Sequence, residues 1–121
     1  MNSEGILFRD SEHKTVFESV LRKMDCGPSD VYRISFAYLI ALDDVCRKHI
    51  SQLYDFAQDC ICPDALDAPW QTSCSLRTVE LAVNLYNSYC GADAADIFAY
   101  GEYNVYYVQA LKLRFPCGVW D

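Results

Sequence analysis

The stretch from Val31 to Val45 constrains the fold most. Val31, Ile34, Phe36, Ala37, Tyr38, Leu39, Ile40, Ala41 and Leu42 make it apolar almost all round. A helix without a polar face is stable only when other elements cover every side of it. No apolar run in the chain reaches the roughly 20 residues of a membrane-spanning helix. The stretch is therefore expected as the central, buried helix of a domain, capped by Ser29 or Asp30. Arg33 is the exception inside its apolar part. After Leu42 the pattern turns polar with Asp43, Asp44, Arg47, Lys48 and His49. The helical reading continues through Leu53, Tyr54 and Phe56, with a break near His49.

A buried helix needs partners, and the sequence offers them on both sides. Val16, Phe17, Val20, Leu21 and Met24 recur at helical spacing after the cap Asp10-Ser11-Glu12. This predicts a helix near residues 11–25, closed by Gly27-Pro28 with Gly27 left-handed. Residues 59–74 read as irregular. Asp59, Pro63, Asp64, Asp67, Pro69, Thr72 and Ser73 are turn and cap formers, and two prolines six apart exclude a continuous helix. Leu66 and Trp70 are the expected anchors of this segment.

A third clear helix presents Leu76, Val79, Leu81, Ala82, Val83, Leu85, Tyr86 and Tyr89, with Gly91 ending it. Ala92 to Phe98 fits a short helix. From Tyr103 to Phe115 both a helical and a strand period fit. A strand would need a partner strand, which the sequence does not offer, so helix is chosen. Pro116 ends it. The reading is all-α, a single compact domain over residues 1–121 with four to five helices and an irregular Pro-containing segment near 59–74. The length of 121 residues and the 52% apolar share suit one domain with its own core.

Charge narrows the partners. The formal net charge is −7. Residues 1–58 hold seven basic and nine acidic side chains (−2), and residues 103–121 two basic and one acidic (+1). Residues 59–102 hold one basic against seven acidic, or −6. Such a balance argues against direct binding to nucleic acid backbones. An acidic face can serve solubility alone. It can also complement a basic partner. On the second reading Asp59, Asp64, Asp67, Asp93 and Asp96 are the candidate contacts. The late tyrosines join them, because Tyr at a polar rim anchors interfaces: Tyr103, Tyr106 and Tyr107. A homodimer stays open on the same ground.

The seven cysteines are odd in number. The first residues carry no basic n-region or apolar run, so no secretory signal is expected. The thiols are read as reduced and the setting as cytoplasmic. Cys46-Arg47-Lys48-His49 and Cys60-Ile61-Cys62 could together offer four zinc ligands, Cys46, His49, Cys60 and Cys62, although C-x-C matches the usual C-x-x-C poorly. Otherwise no cofactor is expected.

No phosphate-binding loop, dinucleotide fingerprint, zinc-protease helix or nucleophile elbow is present. Cys46 and His49 share a helix face at i, i+3 but have no third group to orient them. His13 reads as a surface or capping group. A non-enzyme is therefore expected. One further polar set stands out along an apolar helix: Trp70, Gln71, Arg77, Asn84 and Asn87. It is either a helix start with a buried network or a groove for a small molecule.

Taken together, Leu7-Phe8-Arg9-Asp10 with Glu12-His13, Trp70-Gln71-Thr72 with Ser75, Leu81-Ala82 with Asn84-Leu85-Tyr86-Asn87, and Leu111-Lys112-Leu113-Arg114-Phe115-Pro116 show a resemblance. The chain resembles a family of small proteins of unknown function from Firmicutes and gut bacteria, often encoded near mobile elements. The resemblance covers most of the chain. It implies a bacterial, intracellular setting and assigns no catalytic residue. In that setting the acidic surface suggests a non-enzymatic inhibitor of a basic nucleic-acid-binding protein, such as a CRISPR or other defence nuclease.

Overall fold

The computed structural model describes residues 5–99 and 101–117. Its helices are α1 (Ser11–Lys23), α2 (Val31–Leu42), α3 (Asp44–Arg47), α4 (Ile50–Leu53), α5 (Ser73–Asn87), α6 (Ala94–Ile97) and α7 (Asn104–Arg114). Between α4 and α5 lie two short strands, β1 (Tyr54–Asp55) and β2 (Cys60–Ile61), and a 3-10 turn, Pro63–Asp67. The architecture is all-α, as the periodicity predicts. Helix α2 is the centre, with α1, α5 and α7 packed around it. Every side chain from Phe36 to Leu42 is fully buried. Each large apolar group among them contributes about 1.5–3 kcal/mol by leaving water. Ser35 is tolerated there because its hydroxyl bonds back to the Val31 carbonyl at 2.8 Å.

Helix α2 stops at Leu42, earlier than the expected Val45. Asp43 is extended, and its Oδ2 accepts the Val45 and Cys46 amides, so it caps a new helix. The break leaves carbonyls at the end of α2 without intrahelical partners. Two arginines fill them. Arg9 Nη1 donates to Leu42 O at 3.0 Å, and Arg47 Nε donates to Ala41 O at 2.6 Å. Both charges also suit the negative end of the helix dipole.

The helical reading through Phe56 is corrected as well. Asp55 Oδ1 accepts the amides of Ala57 and Gln58, which folds the chain into a turn. The turn joins β1 to β2 as an antiparallel pair, with Tyr54 opposite Ile61 and Asp55 opposite Cys60. A strand pair was not expected because the apolar alternation is too short to register.

Two helix ends also differ from expectation. Helix α1 closes on Asp25, which is left-handed at φ 52°, and not on Gly27. The amides of Asp25 and Cys26 return to Arg22 O and Leu21 O, the bond pair of a Schellman end. Helix α5 closes on left-handed Ser88, so Tyr89 lies beyond it, and Gly91 plays another part described below. Residues Tyr103–Phe115 are helical over Asn104–Arg114, with Tyr107 and Ala110 on the buried face. No helix is long and apolar enough to cross a membrane among the described residues.

His13 is a core residue and not a surface cap. It is fully buried. Its Nε2 lies 2.9 Å from Tyr38 O, and its Nδ1 accepts the Arg9 amide at 3.1 Å. That pair of partners specifies a neutral ring protonated on Nε2. Burial, the largest cause, lowers its pKa to about 4.

Candidate functional site

The arginines pair with one set of the acidic residues and leave others open. The Arg47 side chain is only 6% exposed and reaches Asp10 at 3.0 Å, Asp44 at 3.2 Å and Glu12 at 3.7 Å. Arg9 forks onto Asp44 at 3.1 and 3.4 Å. Arg33 joins Asp30 at 2.6 Å and donates Nε to Asp59 at 3.1 Å. Asp59 also accepts the Tyr54 hydroxyl. Arg33, and then Tyr54, hold the Asp59 carboxyl below its ordinary range. Asp59 is thus a structural clasp between α2 and the turn before β2, which removes it from the docking set.

A second group has no such partners. Asp64 and Asp67 are exposed on the 3-10 turn. Asp93 and Asp96 are exposed at the start of α6. There Asp93 Oδ1 accepts the Asp96 amide at 2.9 Å and Asp96 Oδ2 accepts the Asp93 amide at 3.4 Å. Among the described residues none of these four carboxylates is in an ion pair. Burial and then Asp96 raise the Glu80 carboxyl on the neighbouring face of α5. Uncompensated carboxylates of one sign produce a field that attracts cationic surfaces.

The tyrosines do not join this surface as expected. Tyr103 is 7% exposed and Tyr107 2%. Tyr103 donates its hydroxyl to Asp43 Oδ1 at 3.2 Å, and the Tyr107 hydroxyl lies 2.7 Å from Thr78 Oγ1. Both rings belong to the core, where buried hydroxyls find partners. Tyr106 is half-buried, edge-on to Tyr103.

A slot of about 280 Å³ opens beside the 3-10 turn. Ile61, Pro63 and Leu66 form one wall, and Val83, Tyr86 and Tyr89 the other. The 3-10 geometry explains the arrangement. Residues i and i+3 eclipse one another in such a turn. Pro63 and Leu66 therefore share the side that faces the slot, and Asp64 and Asp67 share the next. Tyr89 is 41% exposed, and its ring lies over Gly91, where a methyl group would fall inside contact distance. Gly91 gives the ring its seat. The sequence marks Leu66 as an anchor and Val83, Tyr86 and Tyr89 as one helix's apolar residues, but does not join them into a slot. The available signal was the three-residue spacing of Pro63 and Leu66 together with a glycine two residues after Tyr89.

A second apolar hollow, about 380 Å³, is lined by Leu7, Val105, Val108, Gln109 and Lys112 with Asn104. Its one charged wall residue is Lys112, and none of the acidic docking candidates lines it.

The proposed polar groove is not formed. Gln71 lies two residues before α5 and Asn87 is its last residue, and the 15 residues of helix between them span about 22 Å. Gln71 donates to Ala65 O at 2.9 Å and accepts from Ser75. Thr72 and Ser75 complete a reciprocal cap. Asn84 donates to Tyr89 O at 2.7 Å, and Asn87 accepts the Tyr89 amide at 3.1 Å. Trp70 stacks on His49 with centroids 4.1 Å apart and donates to Gln52 at 2.8 Å. Arg77 lies in the second turn of α5, beside Cys74, Glu102 and Tyr107 and far from Asn84 and Asn87. These polar groups shape the helix ends and loops.

The four thiol and imidazole candidates are not brought together either. Cys46 is buried with Sγ toward Ser75 O, while His49 turns away to Val45 O and Trp70. Burial raises the Cys46 thiol strongly, so it stays protonated at neutral pH. Cys60 sits on β2 opposite Asp55 and Cys62 directly follows that strand, and burial raises the Cys62 thiol too. Among the described residues no group of three His, Cys, Asp or Glu is placed to hold a metal ion. All seven cysteines are unpaired.

Comparison with curated proteins and with solved structures finds no match. Comparison with protein families finds one: a family of unknown function (DUF6075) matches residues 3–119, and the chain belongs to it.

Proposed function

We propose that this DUF6075 protein is a non-enzymatic interaction module that binds a basic protein partner through Asp64, Asp67, Asp93 and Asp96. One observation carries the reading. The protein pairs Asp10, Asp30, Asp44 and Asp59 with its own arginines and leaves these four carboxylates exposed without a cation among the described residues. Charges neutralised internally serve the fold. Charges left open act on what approaches.

The partner class follows from the same electrostatics. A protein with a positive nucleic-acid groove presents the complementary field, and a small chain of net charge −7 competes with nucleic acid for it. A CRISPR or other defence nuclease in a bacterial cytoplasm is the concrete form of that partner. On this reading the chain carries no catalytic residue and no cofactor, and it touches no nucleic acid itself.

Charge reversal tests the surface. Asp64→Lys, Asp67→Lys and Asp93→Lys together abolish binding to a basic partner; all three side chains are exposed, and the one structural loss is the Asp93 cap of the four-residue α6, about 1 kcal/mol. Unchanged affinity in the triple variant overturns the assignment.

A further inference from the structure

We infer that the slot between the 3-10 turn and α5 receives an apolar side chain from a basic, amphipathic segment of the partner. The inference rests on the docking reading above and adds the specificity that charge alone does not provide. Four observations support it.

The first is composition. Leu66, Val83, Tyr86 and Tyr89 line a partly open slot, and one tyrosine wall is 41% exposed. Folding normally covers such surface. Apolar and aromatic groups left at a concave surface are the usual seats of interface anchors.

The second is the rim. The 3-10 turn that supplies Pro63 and Leu66 to the slot carries Asp64 and Asp67 on its adjacent side. An occupant with Lys or Arg flanking its apolar residue satisfies both at once. A purely apolar occupant would leave the carboxylates uncompensated, and an acidic one would be repelled. An apolar core with a charged rim is how protein interfaces are commonly built.

The third is rigidity. Asp59 fastens the turn before β2 to α2 through Arg33, and Tyr54 and Tyr86 lie hydroxyl to hydroxyl at 3.0 Å. Cys62 N donates to Leu53 O at 2.9 Å, which fixes the start of the 3-10 turn. The turn wall and Tyr86 are therefore held by the core. A preformed seat loses little entropy on binding.

The fourth is the seat of Tyr89. Its ring packs on Gly91, and any larger residue there displaces it. Gly91 is exposed, lies outside every helix and does not have a positive φ. Gly91→Ala is therefore a substitution that alters the slot without altering charge or the core.

The test uses the full chain, isotope-labelled for amide NMR and titrated with two synthetic peptides, KKLFKK and KKSSKK. Both carry the same charge. The inference expects KKLFKK to bind about tenfold or more tighter. Its amide shifts should centre on Ile61, Leu66, Val83 and Tyr86. Gly91→Ala should weaken KKLFKK severalfold and leave KKSSKK unchanged. Equal binding of the two peptides, lost in the Asp64→Lys, Asp67→Lys variant, overturns the slot and leaves the acidic surface standing. Binding of neither overturns both. Shifts centred on Val105 and Val108 also overturn the slot, because the other hollow would then be the seat. An acidic control, EELFEE, that binds as tightly as KKLFKK contradicts the role given to the rim.

Discussion

Arg47 donates its Nε to the Ala41 carbonyl at 2.6 Å, from the far side of the break that ends α2. One guanidinium thereby closes the central helix and binds it to the acidic start of α1 through Asp10. Removing it leaves a buried carbonyl without this donor and sets Asp10 and Asp44 against each other. Arg47→Ala should cost about 3 kcal/mol in denaturant unfolding. Arg47→Lys should recover less than half, because an ammonium cannot fork to the same acceptors. A loss below about 0.5 kcal/mol for Arg47→Ala would contradict this role.

His13 makes stability depend on pH in a defined direction. Its folded pKa of about 4 lies below its unfolded value. The unfolded chain therefore binds the proton first as pH falls. The contribution is complete above about pH 6.5 and is lost toward pH 4. Between pH 7 and pH 5 the loss should be about 2 kcal/mol. Unfolding curves at the two pH values measure it, and His13→Gln should remove most of the difference. An equal pH dependence in that variant would show that other groups cause it.

Asp59 and Asp64 should separate cleanly. Asp59→Asn should lower stability by up to about 1 kcal/mol, since half of its side chain faces solvent and screening weakens the pair. Binding to a basic partner should change less than it does in Asp64→Asn. Asp64→Asn should do the reverse, weakening binding at constant stability. Calorimetry of both variants, with binding measured beside it, decides whether the arginine pairing divides structural from docking acids.

Tyr103 and Tyr107 should behave as core residues. Tyr103→Phe leaves Asp43 Oδ1 without its hydroxyl partner at a site 4% exposed and should cost about 2 kcal/mol. Tyr107→Phe should cost about 1 kcal/mol, because Thr78 keeps the Cys74 carbonyl at 3.0 Å. Neither should alter partner affinity. A binding defect without a stability defect would return these rings to the interface.

Much of the scaffold was legible because periodicity reports burial. The all-round apolar run of Val31 to Leu42 identified the central helix, and Asp10 and Asp30 announced the helix starts that they cap. What escaped depends on contacts distant in sequence. His13 and Tyr38 are 25 residues apart, and nothing near His13 signals that its ring is buried. Asp59 looks like any surface acid until Arg33, 26 residues earlier, is placed beside it. The tyrosine-rich end was ambiguous for the same reason. A dense run of rings fits a core or an interface, and the choice rests on the hydroxyl partners Asp43 and Thr78. The acids of the 3-10 turn were legible as a charge excess. The slot beside them was not, because its walls come from segments about 20 residues apart.

The most direct test of the docking claim is affinity capture from bacterial lysate at low and high salt, with the wild-type chain beside its Asp64→Lys, Asp67→Lys, Asp93→Lys variant. Mass spectrometry identifies what each retains. The account predicts that the wild type retains a basic nucleic-acid-binding protein at low salt and releases it at high salt, while the variant never retains it. Retention of the same proteins by both chains, or of no basic protein by either, would contradict it.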